Sequence, residues 1–356
     1  MKDSDIKIAL ISDCHFGVKK GNSEFLDSQM RFFRNQMIPS LKKQNITHVY
    51  FLGDVMDNRN HINVRILSEV TKLFAEDFKD FTVKILVGNH DIYYKTTVKV
   101  HSLEFLDVLQ NIEVITDIKV DEEIEELTGK RILIVPWITD EESFIKEVAN
   151  KNIECDYCFG HFEMTGFNLT KYMPSLHGLD PSIIFDNYDV TFSGHYHQRS
   201  KKESNGKIIQ YLGSPYQITR NDIDDDDRGF AVLNINTGEY NFENNTESIK
   251  FKKIKYPYKF NKNEIRGNIV DVHIDYDETY KESAVQKYLK TIEKYDPLFP
   301  PTVKIENKLN VGDVEELEHQ NVEDLLSEYV GILEIPHKDE VLNRLNIMLK
   351  ETLKSK

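Results

Sequence analysis

This chain is poor in cysteine, in basic charge and in long apolar runs, and each shortage narrows what it can be. Three cysteines in 356 residues are too few for a disulfide framework. They point to a reducing, cytoplasmic setting. No apolar run approaches the about 20 residues that a membrane helix needs. Met1-Lys2-Asp3-Ser4-Asp5 lacks the basic-then-apolar layout of a signal peptide, and no membrane association is expected. Lys and Arg total 45 against 60 Asp and Glu, a formal net charge of −15 that argues against a broad cationic groove for nucleic acid. That objection is limited. Part of the acidity sits in runs such as Asp121-Glu122-Glu123 and Asp224-Asp225-Asp226-Asp227, read as solvated surface without a site role. Bound divalent cations would also reverse the local sign wherever a phosphate docks.

What is present is a recurring unit of short apolar strand, polar loop and helix. Residues 6–11, 48–52, 82–87, 131–135, 155–159 and 189–193 read as strands, several of them apolar enough to be buried on both faces. Between them, 23–43 carries Leu26, Met30, Phe33, Met37 and Leu41 at helical spacing, and 62–78 carries Ile66, Val70, Leu73 and Phe74 on one face. Residues 207–211 and 230–235 are expected as later, antiparallel strands. The alternation is that of an α/β fold, in which ligands gather beyond the carboxyl ends of the strands. The character changes after about residue 250, where Lys250-Phe251-Lys252-Lys253-Ile254-Lys255-Tyr256 is basic and aromatic. A strand at 269–274, a helix at 280–295, a second strand at 302–305 and helices near 314–329 and 338–353 are expected there. The length exceeds the usual span of one core, and the expected domains are 1–250, 251–310 and 311–356.

Five short motifs each end one of these strands: Asp13-Cys14-His15, Gly53-Asp54-Val55-Met56-Asp57, Gly88-Asn89-His90-Asp91, Gly160-His161 and Gly194-His195-Tyr196-His197. Each alone is weak, since an Asp-x-His is commonly a satisfied polar pair and Gly-Asn-His-Asp reads equally well as a turn. Their conjunction is not weak. So many ionisable groups buried together would be costly without cations to pair with. A carboxylate bridges two ions, an amide oxygen suits a hard cation, and several imidazoles favour a transition metal over Mg²⁺. Two such ions about 3.5–4 Å apart stabilise both the attacking and the leaving oxygen of a phosphoester.

The order of these motifs resembles that of the calcineurin-like metallophosphoesterases. Within them it is most similar to the SbcD-type DNA double-strand-break repair nucleases, a group that includes phage recombination endonuclease subunits. The narrower likeness rests on Tyr211-Leu212-Gly213-Ser214-Pro215, Arg228-Gly229-Phe230 and Val135-Pro136-Trp137, with the partly helical C-terminal region. The resemblance implies a β-sandwich flanked by helices for 1–250, a smaller α+β capping or DNA-binding domain for 251–310, and C-terminal helices for 311–356. It implies Asp13, His15, Asp54 and His197 around one ion and Asp54, Asn89, His161 and His195 around the other, with Asp54 bridging. The implied cofactor is two Mn²⁺ per chain, with Mg²⁺ or another divalent metal as alternatives. The implied activity is 3′-to-5′ exonuclease on duplex ends and endonuclease on single strands, in DNA recombination and repair. The implied partners are DNA and an SbcC-type ABC ATPase, with a homodimer of this chain inside a heterotetramer.

His90 follows a ligand asparagine, so it is expected over the same site, donating to the phosphate or the leaving oxygen. Asp91 is expected to orient its ring. Asp57 stands where part of the repair-nuclease branch carries a second histidine; that role is not carried over, and Asp57 is expected to orient a metal ligand. Lys19, Lys20, Arg199, Lys201 and Lys202 flank the site loops as candidate phosphate contacts. Arg59 and His61 are further candidates for DNA, with a solvated loop as the other reading. The helices of 314–353 are the candidate ATPase-docking element. Cys155 and Cys158 fall at an odd separation in a strand, which places them on opposite faces, and with no second pair a zinc site is not expected. The competing functions are a phosphatase or cyclic-nucleotide phosphodiesterase using the same metals, and a non-catalytic scaffold that has lost them.

Overall fold

The computed structural model describes residues 6–151, 154–170, 173–276, 281–307, 338 and 342–345. In Ile8-Ala9-Leu10-Ile11 every side chain is buried, and the two-residue alternation of a strand sends them into two different cores. Ile8 and Leu10 join Tyr50, Leu86, Phe159, Phe192 and Leu233. Ala9 and Ile11 join Phe33, Phe51, Val70, Phe74 and Val83. A strand covered on both faces has no polar side to show, which is why this segment reads as a continuous apolar run.

In chain order the strands are β1 (Lys7–Ile11), β2 (His48–Phe51), β3 (Thr82–Leu86), β4 (Ile112–Ile115), β5 (Lys119–Val120), β6 (Ile132–Val135) and β7 (Tyr157–His161). There follow β8 (Asn168–Thr170), β9 (Met173–Pro174), β10 (Val190–Gly194), β11 (Ser200–Ser204), β12 (Lys207–Tyr211), β13 (Gly229–Asn234) and β14 (Tyr240–Asn244). One sheet runs β14-β13-β1-β2-β3-β4 and a second runs β11-β12-β10-β7-β6-β5. The central strands of each are parallel, and the antiparallel additions lie at the sheet edges. The Ile8, Tyr50 and Phe159 core lies between the sheets. The outer face of the first is covered by helical residues such as Met30, Leu41 and Ile66, and that of the second by Phe144 and Ile184. The fold is therefore an α/β sandwich flanked by helices.

The helix expected at 23–43 is present with a change of winding. Asn22 caps it, its Oδ1 accepting from the Glu24 and Phe25 amides at 2.9 and 3.3 Å. Ser23–Arg31 is α-helical, Phe32–Met37 is π-helical and Ile38–Lys43 is α-helical again. Pro39 has no N–H to donate, and the widened turn precedes it.

Three expectations need correction. Residues 207–211 are antiparallel to β11 on one side, as expected, but parallel to β10 on the other, because β11 intervenes as a hairpin arm and reverses the chain first. Asp121 is buried rather than solvated: it caps the helix Glu122–Thr128 and binds Lys84 Nζ at 2.6 Å. Cys155 and Cys158 pack against the same outer core, because Cys155 precedes β7 and strand alternation does not govern it.

The chain divides into two compact units, Met1–Ile274 with Lys281–Lys304, and Asp275–Tyr280 with Ile305–Lys356. All five motifs lie in the first. In that unit a further strand, β15 (Phe251–Lys255), pairs parallel with the part of β16 (Ile269–Tyr276) that lies in it, from Phe251↔Ile269 to Lys255↔His273. The helix expected at 314–329 lies outside the described residues, as does most of that at 338–353. No helix among the described residues is long and apolar enough to cross a membrane.

Candidate metal centre

The five motifs meet at the carboxyl ends of the parallel strands, and both sheets contribute. Backbone pairing continues beyond β1 and β2: the Asp13 amide donates to Gly53 O at 3.1 Å, His15 to Asp54 O at 3.0 Å and Phe16 to Val55 O at 2.8 Å. This extension fixes the first two motifs side by side. Asp13, His15, Asp54 and His195 all adopt left-handed backbone, with φ of 56°, 45°, 52° and 96°. Such residues are costly for L side chains and gather where a site requires them. Gly88 makes room for the second motif, since a Cβ there would lie 2.3 Å from the Asp54 amide and from Asp54 Oδ1.

Three overlapping groups of donors result, with ligand atoms within 4.8 Å of one another in each. Asp13, His15 and His197 form the first, Asp54, His161 and His195 the second, and His15, Asp54 and His90 a third that joins them. Asp54 lies between the first two: its Oδ2 is 3.7 Å from His15 Nε2 and its Oδ1 is 3.5 Å from His161 Nε2. Asn89 completes the second group, its Oδ1 lying 3.0 Å from His161 Nε2 and 2.9 Å from His195 Nδ1. His15 Nε2 and His197 Nε2 face each other at 2.9 Å. Both nitrogens lie beside buried carboxylates and would serve as ligands in their deprotonated form; burial opposes a charge on His15, but Asp57, Asp54 and Asp13 raise its ring above the usual value. The oxygen and nitrogen donor set fits two divalent ions sharing Asp54.

The surroundings fix which ring nitrogen is free. His161 Nδ1 lies 2.6 Å from Leu52 O, so it carries the proton and donates, leaving Nε2 for a cation. Burial opposes a charge on His161, yet Asp54 outweighs it and raises the ring to about 9. Burial, with the charge of His161, lowers His195 to about 3. Burial and His15 lower His197 to about 4. Burial would raise Asp54, but His161, His15 and His90 hold it well below the usual carboxylate range.

His90 sits beside this centre. Its ring centroid is 4.7 Å from that of His15, and its Nδ1 donates to the Asp57 carbonyl at 3.0 Å, leaving Nε2 unengaged. The sequence expectation that Asp91 orients that ring is not met. The Asp91 carboxylate is committed to backbone amides, accepting from Gly88 and Met56 at 2.9 Å and from Val55 at 3.4 Å. It braces the second and third motifs against each other instead. Asp57 Oδ1 lies 3.6 Å from His15 Nδ1.

The seven basic and histidine candidates for DNA contact do not form one cluster. Arg199 is packed over the Phe242 ring and donates to Asn244 Oδ1 at 2.9 Å. Lys201 pairs with Glu203 at 2.5 Å and Lys202 lies over the Phe167 ring. Those three are occupied within the chain. Lys19 approaches the Phe251 ring, Lys20 and His61 line a groove beside Asp57, and Arg59 is half-buried.

Two residues that the sequence offered only as part of the likeness have roles at the site. Trp137 tilts against His195 with ring centroids 5.2 Å apart and meets His161 edge-on at 5.9 Å, covering the second donor group. It directly follows β6, and the rule that sites lie beyond strand ends would have found it. Arg228, which is buried, donates to the His197 carbonyl at 2.5 Å and to Ser214 Oγ, while its other nitrogen binds Asp222 at 3.0 Å and Asp225 at 2.7 Å.

Residues 6–199 match the calcineurin-like phosphoesterase family, and the chain belongs to it. It is accordingly a metal-dependent phosphoesterase. Among individual proteins, it is similar to "Exonuclease subunit 1" of Enterobacteria phage T4, with 28% identity over 341 residues covering 92% of this chain and 93% of the phage protein. A "Putative phosphoesterase 078R" of Invertebrate iridescent virus 3 is 22% identical over 277 residues, covering 75% of this chain and 73% of that protein. A solved archaeal phosphodiesterase covers 67% of this chain and 99% of its own at 13% identity and a TM-score of 0.35, a likeness too loose to bear on the site.

Proposed function

We propose that this chain is the nuclease subunit of a DNA end-processing complex, cutting duplex ends 3′-to-5′ and single strands internally, with two Mn²⁺ in its centre. The observation that carries the reading is the Asp54 carboxylate, whose two oxygens face His15 and His161 in separate donor groups. When bound, a pair of divalent ions there supplies an acidified water and positive charge opposite the phosphate. Asp13, His15, Asp54 and His197 hold the first and Asp54, Asn89, His161 and His195 the second. His90 donates from Nε2 to the phosphate or the leaving oxygen, its ring held by the Asp57 carbonyl.

DNA as substrate is supported by the full-length similarity to a phage exonuclease subunit, and the word subunit in that relative's name supports a partner. We assign the partner to an SbcC-type ABC ATPase joined to a homodimer of this chain in the cytoplasm. An ATPase that gathers DNA accounts for a nuclease of net charge −15 whose site-flanking Arg199, Lys201 and Lys202 are occupied internally. A time course with end-labelled duplex, hairpin and single-stranded DNA, with and without Mn²⁺, tests the reading. Metal-dependent shortening from 3′ ends is expected. Hydrolysis of 4-nitrophenyl phosphate with every DNA left intact would replace it with a phosphatase.

A further inference from the structure

Two cavities lie next to the first donor group, one lined by His197, which meets His15 Nε2, and the other by Asp57, which faces His15 Nδ1. The cavity beyond His197 holds about 390 Å³ and is rimmed by Asp222, Asp224, Asp225 and Asp227. Those carboxylates repel a phosphodiester, and Arg228 is already committed to two of them. The cavity beyond Asp57 holds about 380 Å³ and has the opposite make-up. Phe16, Met56, Ile62 and Ile66 supply an apolar wall, Lys20 and His61 stand at its lip, and Asp57 is its one acidic lining residue. The volume falls within the about 300–1,000 Å³ usual for small-molecule sites.

We propose that this cavity receives the nucleobase of the nucleotide whose phosphate is cleaved, an inference that rests on the nuclease reading above. An apolar wall accepts the face of every base, so binding there holds the nucleotide without reading its identity. The lip is built rather than incidental. Lys19, Lys20 and Gly21 form a left-handed turn with φ of 57°, 59° and 72°, directly after Gly17 at 104° and Val18. Two successive lysines in a conformation that L residues avoid are costly, and such strain concentrates at ligand clamps. Gly21 keeps that turn close to the wall, because a Cβ there would come within 3.0 Å of Ile66 Cδ1. The facing loop is fixed by its own asparagines: Asn58 Oδ1 accepts from the Asn60 and His61 amides at 2.9 and 3.1 Å. Asn63 Oδ1 accepts from the Arg65 amide at 2.9 Å and caps the helix Val64–Lys72. The cavity is thus formed before ligand arrives, one step from the donor that meets Asp57.

The test uses the Mn²⁺-loaded full chain, with hydrolysis of bis(4-nitrophenyl) phosphate as the reporter and three competitors: dAMP, deoxyribose 5-phosphate and inorganic phosphate. The wild type should be inhibited roughly tenfold more tightly by dAMP than by deoxyribose 5-phosphate, the difference being the base. Ile62→Trp, which fills the cavity, and His61→Ala, which opens its lip, should each shrink that ratio toward one. Calorimetric titration of dAMP into the same proteins should repeat the order without turnover. Equal inhibition by dAMP and deoxyribose 5-phosphate in the wild type, or an undiminished ratio in both variants, overturns the proposal. Failure of the nuclease reading looks different: intact DNA alongside active hydrolysis of the small diester, whatever the inhibition ratio.

Discussion

Arg228 Nη1 donates to the backbone carbonyl of His197 at 2.5 Å, so a buried guanidinium positions a ligand whose own ring it never touches. The Gly-Ser-Pro and Arg-Gly-Phe segments, which the sequence offers only as a likeness, acquire a physical role through it. Ser214 and Arg228 together grip the turn that carries the last two histidines.

Arg228→Met is expected to destabilise the protein by about 3–5 kcal/mol, because Asp222 and Asp225 lose their buried partner. It should also weaken the first metal group, through His197, more than the second. Urea unfolding and metal titration read the two effects separately, and unchanged affinity at both positions would deny Arg228 its positioning role.

His90→Ala should lower phosphodiester hydrolysis by about 10²–10⁴-fold while both metals stay bound. Its Nδ1 is held by the Asp57 carbonyl, and although the ring lies within ligand distance of His15 and Asp54, the two groups assigned to the metals are completed without it by Asn89 and His197. Metal content by mass spectrometry decides the matter: loss of ions in this variant would make His90 a ligand. Asp54→Ala, by contrast, should lose at least one ion, since that carboxylate faces both groups.

In the metal-free protein His161 is raised to about 9, so at pH 7 its ring is protonated. Metal uptake must expel that proton, and calorimetry in buffers of different ionisation enthalpy should register about one proton released per chain. The same shift stabilises the metal-free fold fully below the unfolded value of 6.5, and the contribution is lost as pH rises through about 9. His195 and His197, lowered to about 3 and 4, act on the acid side, where the unfolded chain takes up protons first and stability falls as pH drops below 6.5. Thermal melts of the metal-free protein from pH 5 to 9 should therefore peak near neutrality. A curve flat across that range would contradict both assignments.

Lys84→Met should cost about 3–5 kcal/mol with no change in metal stoichiometry. Its Nζ lies 2.6 Å from Asp121 Oδ1 and 2.9 Å from Glu123 Oε2, and its loss strands Asp121, which is otherwise bonded to the Tyr50 hydroxyl at 2.6 Å. Denaturant melts measure the first half and metal analysis the second.

The parallel core strands were legible because burial on both faces leaves an unbroken apolar run, as in Ile8-Ala9-Leu10-Ile11. The donor residues were legible because each follows such a run. The parallel pairing of β12 with β10 was not, although Asn205-Gly206, both at positive φ, mark the antiparallel β11–β12 hairpin that sets it. Asp91 was misread because adjacency to His90 suggested a ring partner, whereas the tight Gly88–Asp91 turn aims the carboxylate back at the amides of Gly88 and Met56. Within the acidic run at 121–123 only Asp121 was misread, Glu122 and Glu123 being exposed on a helix, because composition does not reveal that Lys84, on β3 of the other sheet, is buried against it. Backbone strain at Asp13, His15, Asp54 and His195 leaves no signature in residue type.

The first two donor groups each draw from both sheets: Asp13 and His15 follow β1 while His197 follows β10, and Asp54 follows β2 while His161 ends β7. A cation seated in either group consequently rivets one sheet to the other along a single rim. Chelation should then loosen the sandwich from that rim inward, so that amide exchange quickens first in the strand ends of β1, β2, β7 and β10 and last in the aromatic interior around Tyr50 and Phe159.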